Sequence, residues 1–136
     1  MNTKLQGFTV TDNSQTNDIY IINYDPAKIS IGDSTEVYFK FGLLGYKKGD
    51  TFKATVKISY LNDDQDSGYS FDLDINNVPV DDQGALNIDK SLFSCKFFFT
   101  QPIIVKDNIV KCQMVLQHNG EKIGKENCYF AFKPEK

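Results

Sequence analysis

The chain has 136 residues, of which 40% are hydrophobic and 24% charged, enough apolar material for one domain with its own core. That composition excludes an intrinsically disordered chain and a mini-protein held up only by disulfides. The net charge is −3 and all 15 basic residues are lysines; without arginine the planar fork that grips phosphates and guanine edges is missing, so no nucleic-acid partner is expected.

Residues 1–17 are mostly polar and are expected to form a flexible N-terminal arm, with at most a short edge strand over 7–10. They lack the apolar stretch of a secretory signal. A cytoplasmic protein is therefore expected if Met1 is the native start, and an extracellular one if an export signal has been removed. No apolar run approaches the roughly 18 residues of a membrane span, so no membrane partner is expected.

From residue 18 onward the side-chain period is two, the signature of half-buried strands. Tyr20, Ile22 and Tyr24 interleave with Ile19 and Ile21, a strand apolar on both faces that needs a cover from the chain's own arm or from another molecule. Val37, Phe39, Phe41 and Leu43 alternate with Glu36, Tyr38, Lys40 and Gly42. Over 51–61 the apolar set is Phe52, Ala54, Val56, Ile58 and Tyr60; then Tyr69, Phe71, Leu73 and Ile75 alternate with Ser70, Asp72 and Asp74. Val110, Cys112, Met114 and Leu116 continue the pattern, and Cys128, Phe130 and Phe132 close it. Turn signals at Asp25-Pro26, Gly32-Asp33, Gly49-Asp50, Ser67-Gly68, Gln83-Gly84 and Asn119-Gly120 separate the runs. No window carries a helical apolar stripe, and no linker divides the chain. Residues 18–136 are thus expected to be a single antiparallel β-sandwich of about eight strands.

The last hairpin has two candidate registers. A two-residue turn at Asn119-Gly120 pairs His118 with Glu121 and puts Cys128, Phe130 and Phe132 on the face opposite Val110 and Cys112. A three-residue loop with Gly120 as a left-handed bulge pairs Gln117 with Glu121 and brings Val110, Cys112, Cys128 and Phe130 to one face. Hydrophobic matching favours the bulged loop. It also makes Cys112 and Cys128 near neighbours, expected as two core thiols because the third cysteine, Cys95, leaves an odd count.

Catalytic signals are thin, and no enzyme is expected. The one histidine, His118, sits at a hairpin tip while the cysteines lie inside strands, so no thiol has a base within reach. Phosphate loops, zinc spacings and nucleophile elbows are all missing. Residues 58–89 hold eight aspartates and no lysine, a local charge of −8, and the rest of the chain carries +5. Within that segment Asp63, Asp64 and Asp66 crowd one loop, and Asp72 and Asp74 follow on the polar face of the next strand. An acidic docking patch for a basic protein surface is one reading. Calcium at Asp63, Asp64, Asp66 and Asp74 is a lesser one, because Gln65 and Ser67 are weak ligands. No other cofactor is expected.

Tyr38, Phe98 and Ile104 have the parity of outward-facing positions and are candidate contact residues. The short alternating strands, the acidic mid-chain loop and the Asn-Gly hairpin ending in Tyr129-Phe130-Ala131-Phe132 resemble immunoglobulin-like domains of bacteria or phages. No antibody-type Cys–Trp–Cys set accompanies them. The resemblance is one of pattern and carries no functional residues; the acidic segment and the exposed aromatics make the expected function a non-catalytic protein-interaction module, docking through them or by self-association. Two alternatives stand beside it. One is a carbohydrate-binding sandwich, stacking sugars on Tyr20, Tyr24, Tyr38, Tyr60 or Tyr69; the other is a hydrolase using paired carboxylates.

Overall fold

Alternating side chains produce mostly extended chain among the described residues. The computed structural model describes residues 3–47, 51–61, 68–75, 80–85 and 92–135, with backbone alone at 46, 47, 74, 80–85 and 92–95. Among the described residues nine strands form: β1 Lys4–Thr11, β2 Ile21–Tyr24, β3 Ser34–Lys47, β4 Phe52–Tyr60, β5 Tyr69–Asp74, β6 Val80–Ala85, β7 Leu92–Ile104, β8 Ile109–His118 and β9 Glu121–Pro134. They make a four-stranded sheet in the order β1-β3-β7-β6 and a five-stranded sheet in the order β2-β9-β8-β4-β5. The protein is an all-β, two-sheet sandwich. Every neighbouring pair is antiparallel except β2 and β9, which run parallel.

Between the sheets lie the residues that the period of two turns inward. Phe52, Ala54, Val56, Ile58 and Tyr60 of β4 face Val37, Phe39, Phe41 and Leu43 of β3, and all are buried. A stack of phenylalanines runs through the middle: Phe39 lies 5.0 Å from Phe99 and 5.8 Å from Phe8, and Phe130 meets Phe39 edge-on at 6.4 Å. Each such pair adds roughly 0.5–1.5 kcal/mol beyond the area it buries. The stack draws on β1, β3, β7 and β9 and so ties both sheets together.

The arm expected at the N-terminus is instead an edge strand of the sandwich. β1 pairs with β3, buries Phe8 and Val10, and is fastened across the sandwich where the Phe8 N–H donates to Glu126 Oε1 at 2.9 Å. Its pattern is hidden by a bulge: Gly7, at φ 66°, lies in the irregularity between Gln6 and Thr9. The inward residues are therefore Leu5, Phe8 and Val10, spaced three and then two. A strict search for alternation passes over them.

The closing hairpin also differs from expectation. Asn119 and Gly120 have φ of 53° and 82°, the two-residue turn with both central residues left-handed, and His118 pairs with Glu121. The extra residue is Ile123, between the pairs Gln117–Lys122 and Leu116–Gly124. One bulged residue thus still brings Cys112 opposite Cys128 and Val110 opposite Phe130, but it sits in β9 and not in the loop. Gly124 beside it lets β1 approach closely: a Cβ there would lie 3.2 Å from the Leu5 Cβ.

Candidate interaction surface

The outer face of the five-stranded sheet follows from the same parity. Lys53, Thr55 and Lys57 of β4 stand beside Gln117, Val115 and Gln113 of β8, which stand beside Lys122, Lys125 and Asn127 of β9. The next ladder row sets Lys111 against Tyr129. This half of the face is basic, the counterpart of the surplus of lysines outside 58–89. Asp72 is the described acid within it, and its carboxylate is occupied: Thr55 Oγ1 donates to it at 2.9 Å and Lys53 Nζ lies 3.3 Å away. First the Thr55 hydroxyl and then Lys53 hold that carboxyl below its ordinary pKa.

The lysines give way to apolar residues at one end of the face. Ile109 pairs with Ala131, Ala131 with Ile21, the Leu61 N–H donates to the Ile109 carbonyl, and the Ala131 N–H donates to the Tyr20 carbonyl. Tyr129 lies two residues along on the same side. Among the described residues seven large apolar side chains are exposed, and register brings four of them to this end of the face: Ile21 at 47%, Ile109 and Tyr129 at 46% and Leu61 at 37%. Scattered exposed apolar residues are ordinary, but a contiguous group next to a polar field marks a contact surface. The sequence reading missed this cluster because it crosses four strands that only pairing register brings together.

The expected contact residues are placed differently. Tyr38 and Phe98 do face outward on the four-stranded sheet, half-buried, in two separate grooves. Phe98 lines one of about 420 Å³ with Lys40, Lys96 and the loop residues Ser14, Gln15 and Thr16. Tyr38 lines another of about 340 Å³ with Ile19, Ile21, Ile22 and Val37. Ile104 is turned to a different use. It packs against the core, and its backbone is clamped between two tyrosines: Tyr60 O–H donates to its carbonyl at 2.7 Å, and its N–H donates to Tyr69 Oη at 3.3 Å. Burial, and then the neighbouring Tyr69 hydroxyl, raise the pKa of Tyr60.

Those bonds also dispose of most of the sugar-stacking set, since Tyr24 and Tyr60 are buried and Tyr69 is turned toward the core. Asp63, Asp64 and Asp66 lie outside the described residues, as does the side chain of Asp74. Among the described residues no group of three or more His, Cys, Asp or Glu could hold a metal ion. The buried polar side chains among them are Thr3 and Thr11, which puts no described carboxylate in a buried acid–base pair. Cys112 and Cys128 are buried free thiols, and the contact with Cys128, together with burial, pushes the Cys112 pKa far up. Such a thiol is inert as a nucleophile.

Comparison with known proteins bears on fold class alone. No family model matches the chain and no curated protein matches it. It is similar to a bacterial adhesin from Mobiluncus mulieris that contains intramolecular disulfide, isopeptide and ester bond cross-links. That likeness has a TM-score of 0.51 and 10% identity over 94% of this chain and 49% of the other. An alkylpurine DNA glycosylase from Pseudomonas fluorescens bound to DNA aligns over 95% of this chain and 30% of its own, at 13% identity and a TM-score of 0.43. The chain thus spans less than half the length of either protein. The adhesin likeness supports the β-sandwich class; the glycosylase likeness adds nothing to it.

Proposed function

We propose that this protein is a non-catalytic, immunoglobulin-like interaction module that docks onto another protein. The observation that carries the reading is the clustering of Ile21, Leu61, Ile109 and Tyr129 at one end of a sheet face. Aromatic and aliphatic anchors of this kind supply most of the binding energy in protein interfaces, and the adjoining lysines supply a polar rim. The aspartate-rich segment adds a field that steers encounter.

The test is quantitative capture of binding proteins by the intact chain and by an Ile109→Lys, Tyr129→Ser double variant. Both positions are exposed, so the melting midpoint should hold. Loss of two anchors should weaken capture of a specific partner by at least tenfold, about 1.4 kcal/mol. Equal capture by a folded double variant would remove the surface from consideration.

A further inference from the structure

We infer that the open edge of β2 takes up an extended peptide segment of a partner protein, one in which apolar side chains alternate with lysine or arginine. The inference rests on the reading of the chain as an interaction module and names what that module grips.

Hydrogen-bond direction comes first. Among the described residues β2 has a neighbour on one side, β9. The carbonyls of Tyr20 and Tyr24 accept from the Ala131 and Glu135 N–H groups at 2.9 and 2.8 Å, so the even-numbered residues turn their backbone toward β9. Successive residues of a strand point their backbone groups to opposite sides, so the N–H and C=O of Ile21 and Asn23 face the open edge. Proteins commonly blunt such edges with lysine, proline or a bulge. The neighbouring edge of the other sheet, β1, has Lys4 and the Gly7 bulge. Ile21-Ile22-Asn23-Tyr24 has none of these devices; its shortness alone limits pairing, and it sets the length of ligand at about four residues.

The groove beside that edge supplies the side-chain contacts. It has a volume of about 340 Å³ and runs between β2 and β3, with Ile19, Ile22, Val37 and Tyr38 among its apolar walls. An extended ligand turns alternate side chains to one face, so the lysine or arginine residues of a strand added to β2 enter the groove together, their stems along its apolar walls, while the apolar residues turn to the other face. Asp12 and Glu36 stand on the same walls, and no lysine does. Asp12 keeps its charge because its Oδ2 accepts from Asn17 and its Oδ1 from Ser14, bonds that hold its pKa at about 2. A cationic side chain complements the two carboxylates, and an anionic one is repelled.

The experiment is a titration of the full chain with a blocked valine-lysine-valine-lysine-valine peptide, followed by backbone amide shifts, with a glutamate-for-lysine peptide as control. The expected result is a saturating shift at Ile21, Asn23 and Tyr38, and at least tenfold weaker binding of the glutamate peptide. Asn23→Pro deletes an N–H that faces the edge and no bond to β9, so it should leave the melting midpoint in place and weaken binding about tenfold. Should that variant unfold, Glu36→Gln serves instead, and should weaken the lysine peptide while sparing a valine-threonine-valine-threonine-valine peptide. Shifts confined to Ile109 and Tyr129 would overturn the edge inference and leave the interaction module standing. Silence at millimolar peptide, or equal binding of the lysine and glutamate peptides, would overturn it as well.

Discussion

Asp12 organises the turn that leads from β1 to β2. Its Oδ1 accepts from the Thr16 N–H at 3.1 Å and the Ser14 hydroxyl at 2.9 Å, and its Oδ2 accepts from Asn17 Nδ2 at 2.9 Å. All of these bonds favour the ionised form, which is why the pKa falls from 3.8 to about 2. A carboxyl depressed by folding stabilises the fold above its unfolded pKa and loses that contribution as pH falls through the folded value. The loop is therefore expected to hold down to about pH 4 and to loosen as pH approaches 2, seen as faster exchange of the Thr16 and Asn17 amides. Asp12→Asn should abolish that acid transition in the loop. The Tyr60 hydroxyl likewise serves a backbone group. Replacing it with phenylalanine leaves the Ile104 carbonyl without its donor, and a loss of about 1–2 kcal/mol should appear in denaturant unfolding.

At the scale of elements, the hairpin of β8 and β9 illustrates what a sequence can and cannot disclose. Inward parity is legible residue by residue: Val110, Cys112, Met114, Leu116, Cys128, Phe130 and Phe132 are all buried, as their alternation requires. Where the compensating bulge falls is not legible, because a bulge at Gly120 and one at Ile123 restore the same face. The packing of Leu5 against Gly124 accompanies the actual site, and that contact depends on β1, whose own bulge breaks the pattern that would have revealed it. The apolar end of the outer face was hidden for the same reason: Ile21, Leu61, Ile109 and Tyr129 are distant in sequence, and only register makes them neighbours. The turn itself can be tested. Gly120 lies at φ 82°, where a side chain is strained, so Gly120→Ala should cost about 1–2 kcal/mol in unfolding free energy. The paired thiols give a second check. Cys112 and Cys128 should resist a thiol reagent in the native state and react only at the rate of unfolding.

At the scale of the whole molecule, the sandwich is closed along one side by its first strand. β1 completes the four-stranded sheet, places Phe8 in the stack with Phe39 and Phe99, and meets β9 of the other sheet through Glu126. Removing residues 1–11 would expose the edge of β3 over the length it shares with β1 and uncover Phe39 and Phe99. A dispensable arm would leave the melting midpoint of the truncated chain unchanged. An integral strand predicts loss of cooperative unfolding, or aggregation through the bared β3 edge. A milder version isolates the core term: Phe8→Ala keeps the β1 backbone and removes one ring from the stack. Its expected cost is about 3–5 kcal/mol, a large share of the stability of a domain this size. Unfolding at equilibrium reads that loss directly, and an unchanged midpoint would detach β1 from the sandwich core.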